Sequence, residues 1–245
     1  DCTAKINSPA CTVATLGADI NTTVTCINNP ANFSNKVFDC AGRNMSDPWP
    51  SPYGIYGIHA SGKSNVSVIN CNLANFDVGV HFIDSADSSI RNVTFRDAPV
   101  GAAAYLVNST RMNVSDVEVS GSGGGVALIN ASYNTLYNII VLSNNGWGIP
   151  LFGSTHNSIV GSYACGNTLA DFYFDSASMN NSGHSNIGTK ITNLGQNPGF
   201  SSMNCSFNML SGCSELNSPG YYTIPGNISS SATCIRITSP NVFLD

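Results

Sequence analysis

Two histidines stand one short repeat apart: His59 and His81, each two residues after a glycine, Gly57 and Gly79. Paired imidazoles on one surface can ligate a transition metal. A stable site needs a further ligand, and the same position of the following repeats reads Ala103, Ala127 and Pro150. The pair is therefore expected to face solvent and stack without metal. The densest acids lie in "HFIDSADSS", with Asp84 and Asp87 followed by Arg91, Arg96 and Asp97. Cleaving a glycosidic bond by acid–base chemistry takes two carboxylates roughly 5 to 9.5 Å apart. Asp84, Asp87 and Ser88 are turn formers, so they are expected to shape a corner rather than to cleave. Trp49, in "DPWPSPYGIYG", and Trp147, in "NNGWG", could stack on sugar rings, but packing is the stronger expectation for both. "GSGGGV" at 121–126 lacks the Gly-Lys-Ser/Thr of a phosphate loop. These residues give no catalytic group, metal site or cofactor, and no enzyme is expected.

The composition narrows the classes. Charged residues make up 9% of the 245-residue chain, far below the roughly 25% of ordinary soluble domains. A net charge of −5 with nine Lys plus Arg excludes the clustered basic surface that nucleic acid requires. No apolar run is long enough to span a membrane as a helix. Nine cysteines without a CxxC pair favour disulfides over zinc, and hence an extracellular or cell-surface protein. Eleven Asn-x-Ser/Thr sequons supply candidate glycan sites at Asn21, Asn32, Asn44, Asn65, Asn108, Asn113, Asn130, Asn180, Asn204 and Asn227, with Asn92 the eleventh. Covalent glycans would then wet a surface poor in charge. The first residue is Asp1, so a leader removed or a cut from a longer chain is expected.

What must position these residues is a repeat. Gly57, Gly79, Gly101, Gly125 and Gly148 recur at steps of 22 to 24 residues, and after each come short alternating segments separated by Ser, Asn and Gly. Alternation of this kind reads as half-buried strands. The period is too short for a propeller blade and matches one coil of an all-β parallel solenoid. Val68, Ile90, Val114, Leu136 and Ile159 should then form one interior column. Two residues later come Asn70, Asn92 and Asn138, expected as an interior asparagine ladder. Asn92 should on that account point inward and carry no glycan.

The glycine-led coils, together with "SPGYYTIPGNISSSATCIRITSPNVFLD", resemble the right-handed parallel β-helix superfamily, in its NosD-like, carbohydrate-binding and sugar-hydrolase flavour. The resemblance covers residues 37–175 and two copies of an opening phrase. It implies a single-stranded right-handed β-helix, and for His59 and His81 it would favour copper. The Asn-Thr-Asp and Gly-His-Gly phrases of the pectin-hydrolase relatives are missing. Residues 1–36 are expected as opening and capping strands, 37–175 as coils, and 176–212 as an irregular closing linker. Residues 213–245 repeat the opening phrase and break off inside it. That duplication suggests a next unit, or copies of the protein meeting head to tail. Disulfides are expected at Cys2–Cys26, Cys40–Cys71, Cys165–Cys205 and Cys213–Cys234, leaving Cys11 over. The function these features favour is a secreted, glycosylated structural subunit of an extracellular fibre, sheath or adhesin stalk. The alternative is a polysaccharide-binding or polysaccharide-cleaving β-helix.

Overall fold

The computed structural model describes residues 4–49, 54–98, 101–203, 205, 207–224, 228, 230, 233–239 and 242–244. After a one-turn helix, Ala4–Asn7, the chain winds into two parallel sheets. The first runs through Val13–Thr15, Lys36–Asp39, Val66–Ala74, Ser89–Arg96, Asn113–Ser120, Thr135–Leu142, Ser158–Val160 and Ser182–His184. The second runs from Ile27–Asn28 through Tyr56–Ser61, Val78–Ile83, Ala102–Val107, Gly124–Ile129, Trp147–Phe152 and Ala170–Phe174 to Ile191–Asn193. Most coils give one strand to each sheet; Ile20–Asn21, Asn44–Ser46 and Tyr163–Cys165 add second, short strands to the first, and strands in register lie about 4.8 Å apart. Inside, Val68, Ile90, Val114, Leu136 and Ile159 are partners across five coils, all fully buried.

The asparagine richness has a backbone cause. Corners of the coil take φ > 0, where Asn and Asp are tolerated better than most residues. One such column is Asp84, Asn108, Asn130 and Gly153; another is Asn70, Asn92, Asp116, Asn138 and Gly161. This second column corrects the expected interior ladder. Asn92 Nδ2 donates to Asn70 Oδ1 at 2.8 Å, Asn70 to Asp39 Oδ1, and Asn138 to Asp116 Oδ1, but the column lies on the outside. One left-handed residue turns the strand and reverses its alternation. The next inward side chains are therefore Cys71, Val93, Val117 and Ile139, three residues after the apolar leader rather than two. Asn92 is exposed, so its sequon faces solvent.

The interior ladder is built from other asparagines. Asn134, Asn157, Asn181 and Asn197 are buried one above another. Each Nδ2 donates to the next Oδ1 at 2.9 to 3.0 Å, and each Oδ1 also accepts the backbone N–H of the residue before it in the column. A second ladder, Ser122, Asn144 and Asn167, ends on the buried carboxylate of Asp171. Asp171 Oδ2 accepts from the N–H groups of Thr189 and Lys190 and from the Thr189 hydroxyl.

The solenoid extends beyond the expected 37–175. Val13–Thr15 and Ile27–Asn28 already belong to the two sheets, and Ser182–His184 and Ile191–Asn193 add a strand to each. The expected linker hid this last coil because its strands are three residues long and Asn181 and Asn197 are only 16 residues apart. The C-terminal copy forms parallel pairs too: Ser214–Leu216 with Ile235–Ile237, and Gly220–Thr223 between Phe207–Met209 and Val242–Leu244. Disulfides join Cys40 to Cys71, Cys165 to Cys205 and Cys213 to Cys234. Cys26 is disulfide-bonded, Cys2 lies outside the described residues, and Cys11 is a free thiol.

The glycine marker also has a cause. A Cβ on Gly125 would stand 2.0 Å from the carbonyl oxygen of Gly148 in the next coil, and one on Gly57 would stand 2.6 Å from that of Gly79. Coils touch there, and only the smallest residues fit. Register replaces one marker: Gly79 lies beside Ala103, because Val80 pairs with Ala104, so Gly101 falls two residues ahead of the column.

Candidate functional site

That shift changes the histidine column. His59 pairs with His81, and His81 pairs with Tyr105, not with the expected Ala103; Ala127 follows, with Pro150 and Tyr173 further along. Tyr56, His59, His81 and Tyr105 form an aromatic stack on the outer face of the second sheet, with ring centroids 5.0 to 5.9 Å apart. The imidazoles are half-buried rather than freely solvated. Nδ1 of each is buried and has no hydrogen-bond partner. A cationic ring would strand an N–H there, so both rings are held neutral. Burial lowers the pKa of His59; burial, helped by the neighbouring His59, lowers that of His81 to about 4. Among the described residues no group of three His, Cys, Asp or Glu is placed to hold a metal.

Two coils beyond Tyr105 stands a second aromatic group. Trp147 meets Phe152 edge-on at 5.5 Å and Tyr173 at 5.8 Å, yet 36% of it remains exposed. Between Trp147 and Tyr105 the outward positions are small: Ala102, Gly124 and Ala127. The result is a trough of about 260 Å³ with a floor of backbone and methyl groups and aromatic walls. Trp147 therefore both packs and presents a ring, whereas the sequence favoured packing over an exposed stacking ring. Trp49 lies elsewhere and, at 74% exposed, is not packed as expected; its backbone N–H donates to Asp47 Oδ1.

The remaining candidates stay apart from this trough. Asp87 and Asp84 are corner residues with φ of 53° and 49°. Asp87 takes a two-pronged bond from Arg111 at 2.6 and 2.8 Å, which holds its carboxyl below the usual range, and Asp84 accepts from Asn108. Larger hollows lie on the first sheet. One of about 550 Å³ is lined by Asn44, Asn72, Thr94 and Arg96, and one of about 310 Å³ by Ser67, Ile69, Arg91 and Ser115. Both are open polar grooves without aromatic walls, so the smaller apolar trough is the better formed site. The sequon asparagines at 21, 32, 44, 65, 108, 113, 130 and 180 are exposed, as glycan attachment would require; Asn204 and Asn227 lie outside the described residues.

Sequence reading named His59, His81 and Trp147 but missed Tyr56, Tyr105, Phe152 and Tyr173. Their offsets from the marker glycines differ, and only the strand register brings them onto one face.

Residues 56–218 match the family described as "Right handed beta helix region", and the chain belongs to that family. No curated protein matches the sequence. Among solved structures it is similar to pectate lyase Pel9A, with a TM-score of 0.59 and 12% identity over 94% of this chain and 67% of that one. It is also similar to an alginate lyase from Paenibacillus sp. str. FPU-7, with 0.56 and 10% identity over 99% and 94%. A double mutant of the periplasmic alginate epimerase AlgG gives 0.53 and 15% identity over 85% of this chain, which spans about half the length of that enzyme. At these identities the likeness is one of fold.

Proposed function

We propose that this protein is a secreted polysaccharide-binding β-helix whose ligand lies on the outer face of the second sheet. The observation that carries the reading is the exposed Trp147 ring standing over the Ala102–Gly124 floor. Sugar rings present C–H faces that stack on aromatic rings while their hydroxyls stay in water, the dual demand that a trough of this kind meets. The similar folds are named for enzymes of pectate and alginate, which supports the polysaccharide reading. Nothing in these likenesses favours the end-to-end fibre that the duplicated opening phrase suggested.

Binding rather than cleavage is proposed because the strands of the second sheet contain a single carboxylate. That one, Asp171, is fully buried and committed to the asparagine ladder. Asp77, just outside the strands beside Tyr105, accepts the Gly54 N–H at 2.8 Å and has no second carboxylate from these strands to work with. Affinity electrophoresis of the whole chain through gels containing soluble polysaccharides tests the reading. Retardation by at least one polymer is expected. Trp147→Ala should weaken it roughly tenfold, as the loss of one aromatic stack would, while Trp49→Ala leaves it unchanged. Mobility unaffected by every polymer, or retardation indifferent to Trp147→Ala, rejects the site.

A further inference from the structure

The charges of the molecule are distributed unevenly, and on the proposed binding face this bears on which polysaccharide fits. The nine cationic residues are Lys5, Lys36, Arg43, Lys63, Arg91, Arg96, Arg111, Lys190 and Arg236; none falls in a strand of the second sheet. Arg91 and Arg96 line the hollows of the first sheet instead. The two cations bordering the second sheet do not line the trough: Lys63 Nζ is turned to Ala31 O at 3.3 Å, and Lys190 Nζ to Asn167 O at 2.9 Å and Thr168 O at 3.3 Å. The histidines add no positive charge, since each Nδ1 is buried without a partner. Asp77 beside Tyr105 places a negative charge near the trough. A polyuronate brings a carboxylate on every sugar, and each would lose water here without gaining a cation, a costly exchange.

Resting on the polysaccharide reading, we infer that the second sheet selects an uncharged polysaccharide, laid parallel to the solenoid axis. The direction follows from the columns. The two aromatic groups stand on different coils of one face, from Tyr56 to Tyr173, five coil steps or about 24 Å along the axis. One step is close to the advance of one pyranose along a linear chain, so successive sugars meet equivalent positions of successive coils. An independent feature agrees with this. The chain has eleven sequons, yet none has its asparagine in a strand of the second sheet. A glycan coat would leave this face open; Asn108 and Asn130 sit only at its margin, just after Ala102–Val107 and Gly124–Ile129.

The experiment is calorimetric titration of the full chain with two neutral polymers, a β-glucan and a galactomannan, and two polyuronates, polygalacturonate and alginate, at low and high salt. A neutral polymer is expected to bind with a Kd that salt does not alter. Trp147→Ala and Tyr105→Ala should each weaken it roughly tenfold, while the double variant Arg91→Ala/Arg96→Ala should not. To guard against misfolded variants, Trp49→Phe leaves Trp147 as the sole indole, and its fluorescence should shift on adding the neutral polymer. Binding confined to polyuronates, salt-sensitive and lost in the arginine variant, overturns the inference while leaving a polysaccharide-binding protein. If no polymer binds and light scattering shows a dimer that Trp147→Ala dissolves, the face serves self-association and both readings fall.

Discussion

Replacing Asn157 by alanine tests how the coils are held together from within. Its side chain is buried, accepts from Asn134 N–H and Asn134 Nδ2 at 2.9 Å each, and donates to Ala131 O and Asn181 Oδ1. In Asn157→Ala, Ala131 O keeps the N–H of Thr155, and Asn181 Oδ1 keeps the backbone N–H of residue 157. The Asn134 N–H and one Asn134 amide hydrogen are left without an acceptor. At about 1 to 3 kcal/mol per orphaned buried donor, the loss is about 2 to 6 kcal/mol before any cavity cost, a large share of a typical net stability of roughly 5 to 15 kcal/mol. The control is Asn138→Gly, which keeps the left-handed corner and removes one outer bond, to Asp116, for about 1 kcal/mol. Urea unfolding followed by far-ultraviolet circular dichroism measures both. Asn157→Asp sharpens the test, because its new oxygen faces two acceptors and raises the folded-state pKa above the unfolded value of about 3.9. Its stability should be greatest below that pH and fall as pH rises through the folded pKa. A cost for Asn157→Ala no greater than that of Asn138→Gly would refute the interior ladder as the device that joins the coils.

Other outcomes follow from particular contacts. Gly125→Ala should prevent folding or cost more than 2 kcal/mol, since its Cβ would lie 2.0 Å from Gly148 O, whereas Gly17→Ala, with open space around it, should be silent in the same assay. Nuclear magnetic resonance titration should find His81 neutral until about pH 4. Because that folded pKa is depressed, its contribution is present above about pH 6.5 and lost as pH falls towards 4, an acid sensitivity that His81→Phe should remove. Expressed in a secretory eukaryotic host, the protein should carry glycan at Asn92, seen by peptide mass mapping. Its outward Nδ2 uses one hydrogen for Asn70 and can form the sugar bond in place of the other.

The repeat was legible because stacking demands the same thing of every coil. An apolar residue recurs from Val68 to Ile159 at 22 to 24 residues, and the register follows from it. The direction of the asparagines was not, since period-two counting assumes an unbroken strand and each carries a left-handed residue within it. The signal for the true ladder lay on the other side of the leader. Asn134 and Asn157 precede Leu136 and Ile159 by two residues, which keeps them on the same inward face. The histidine column was half readable. Gly101 stands two residues early, so counting from it put Ala103 where Tyr105 belongs. The trough could not be read at all, because a hollow depends on which small residues come to lie between tall ones, and that is a property of neighbouring coils together.

Along the two sheets each described strand pairs with the strand of the turn before and the turn after, and that makes the length adjustable. Excising residues 124–146 would set Trp147 down on Ala102 and Ser158 on Asn113 with every inward residue still inward. Unequal recombination could thus shorten or lengthen the gene by whole turns without disturbing the remainder. On the proposed reading, the stretch of polysaccharide that the second sheet could hold would change with it in increments of about a single sugar, like divisions on a ruler.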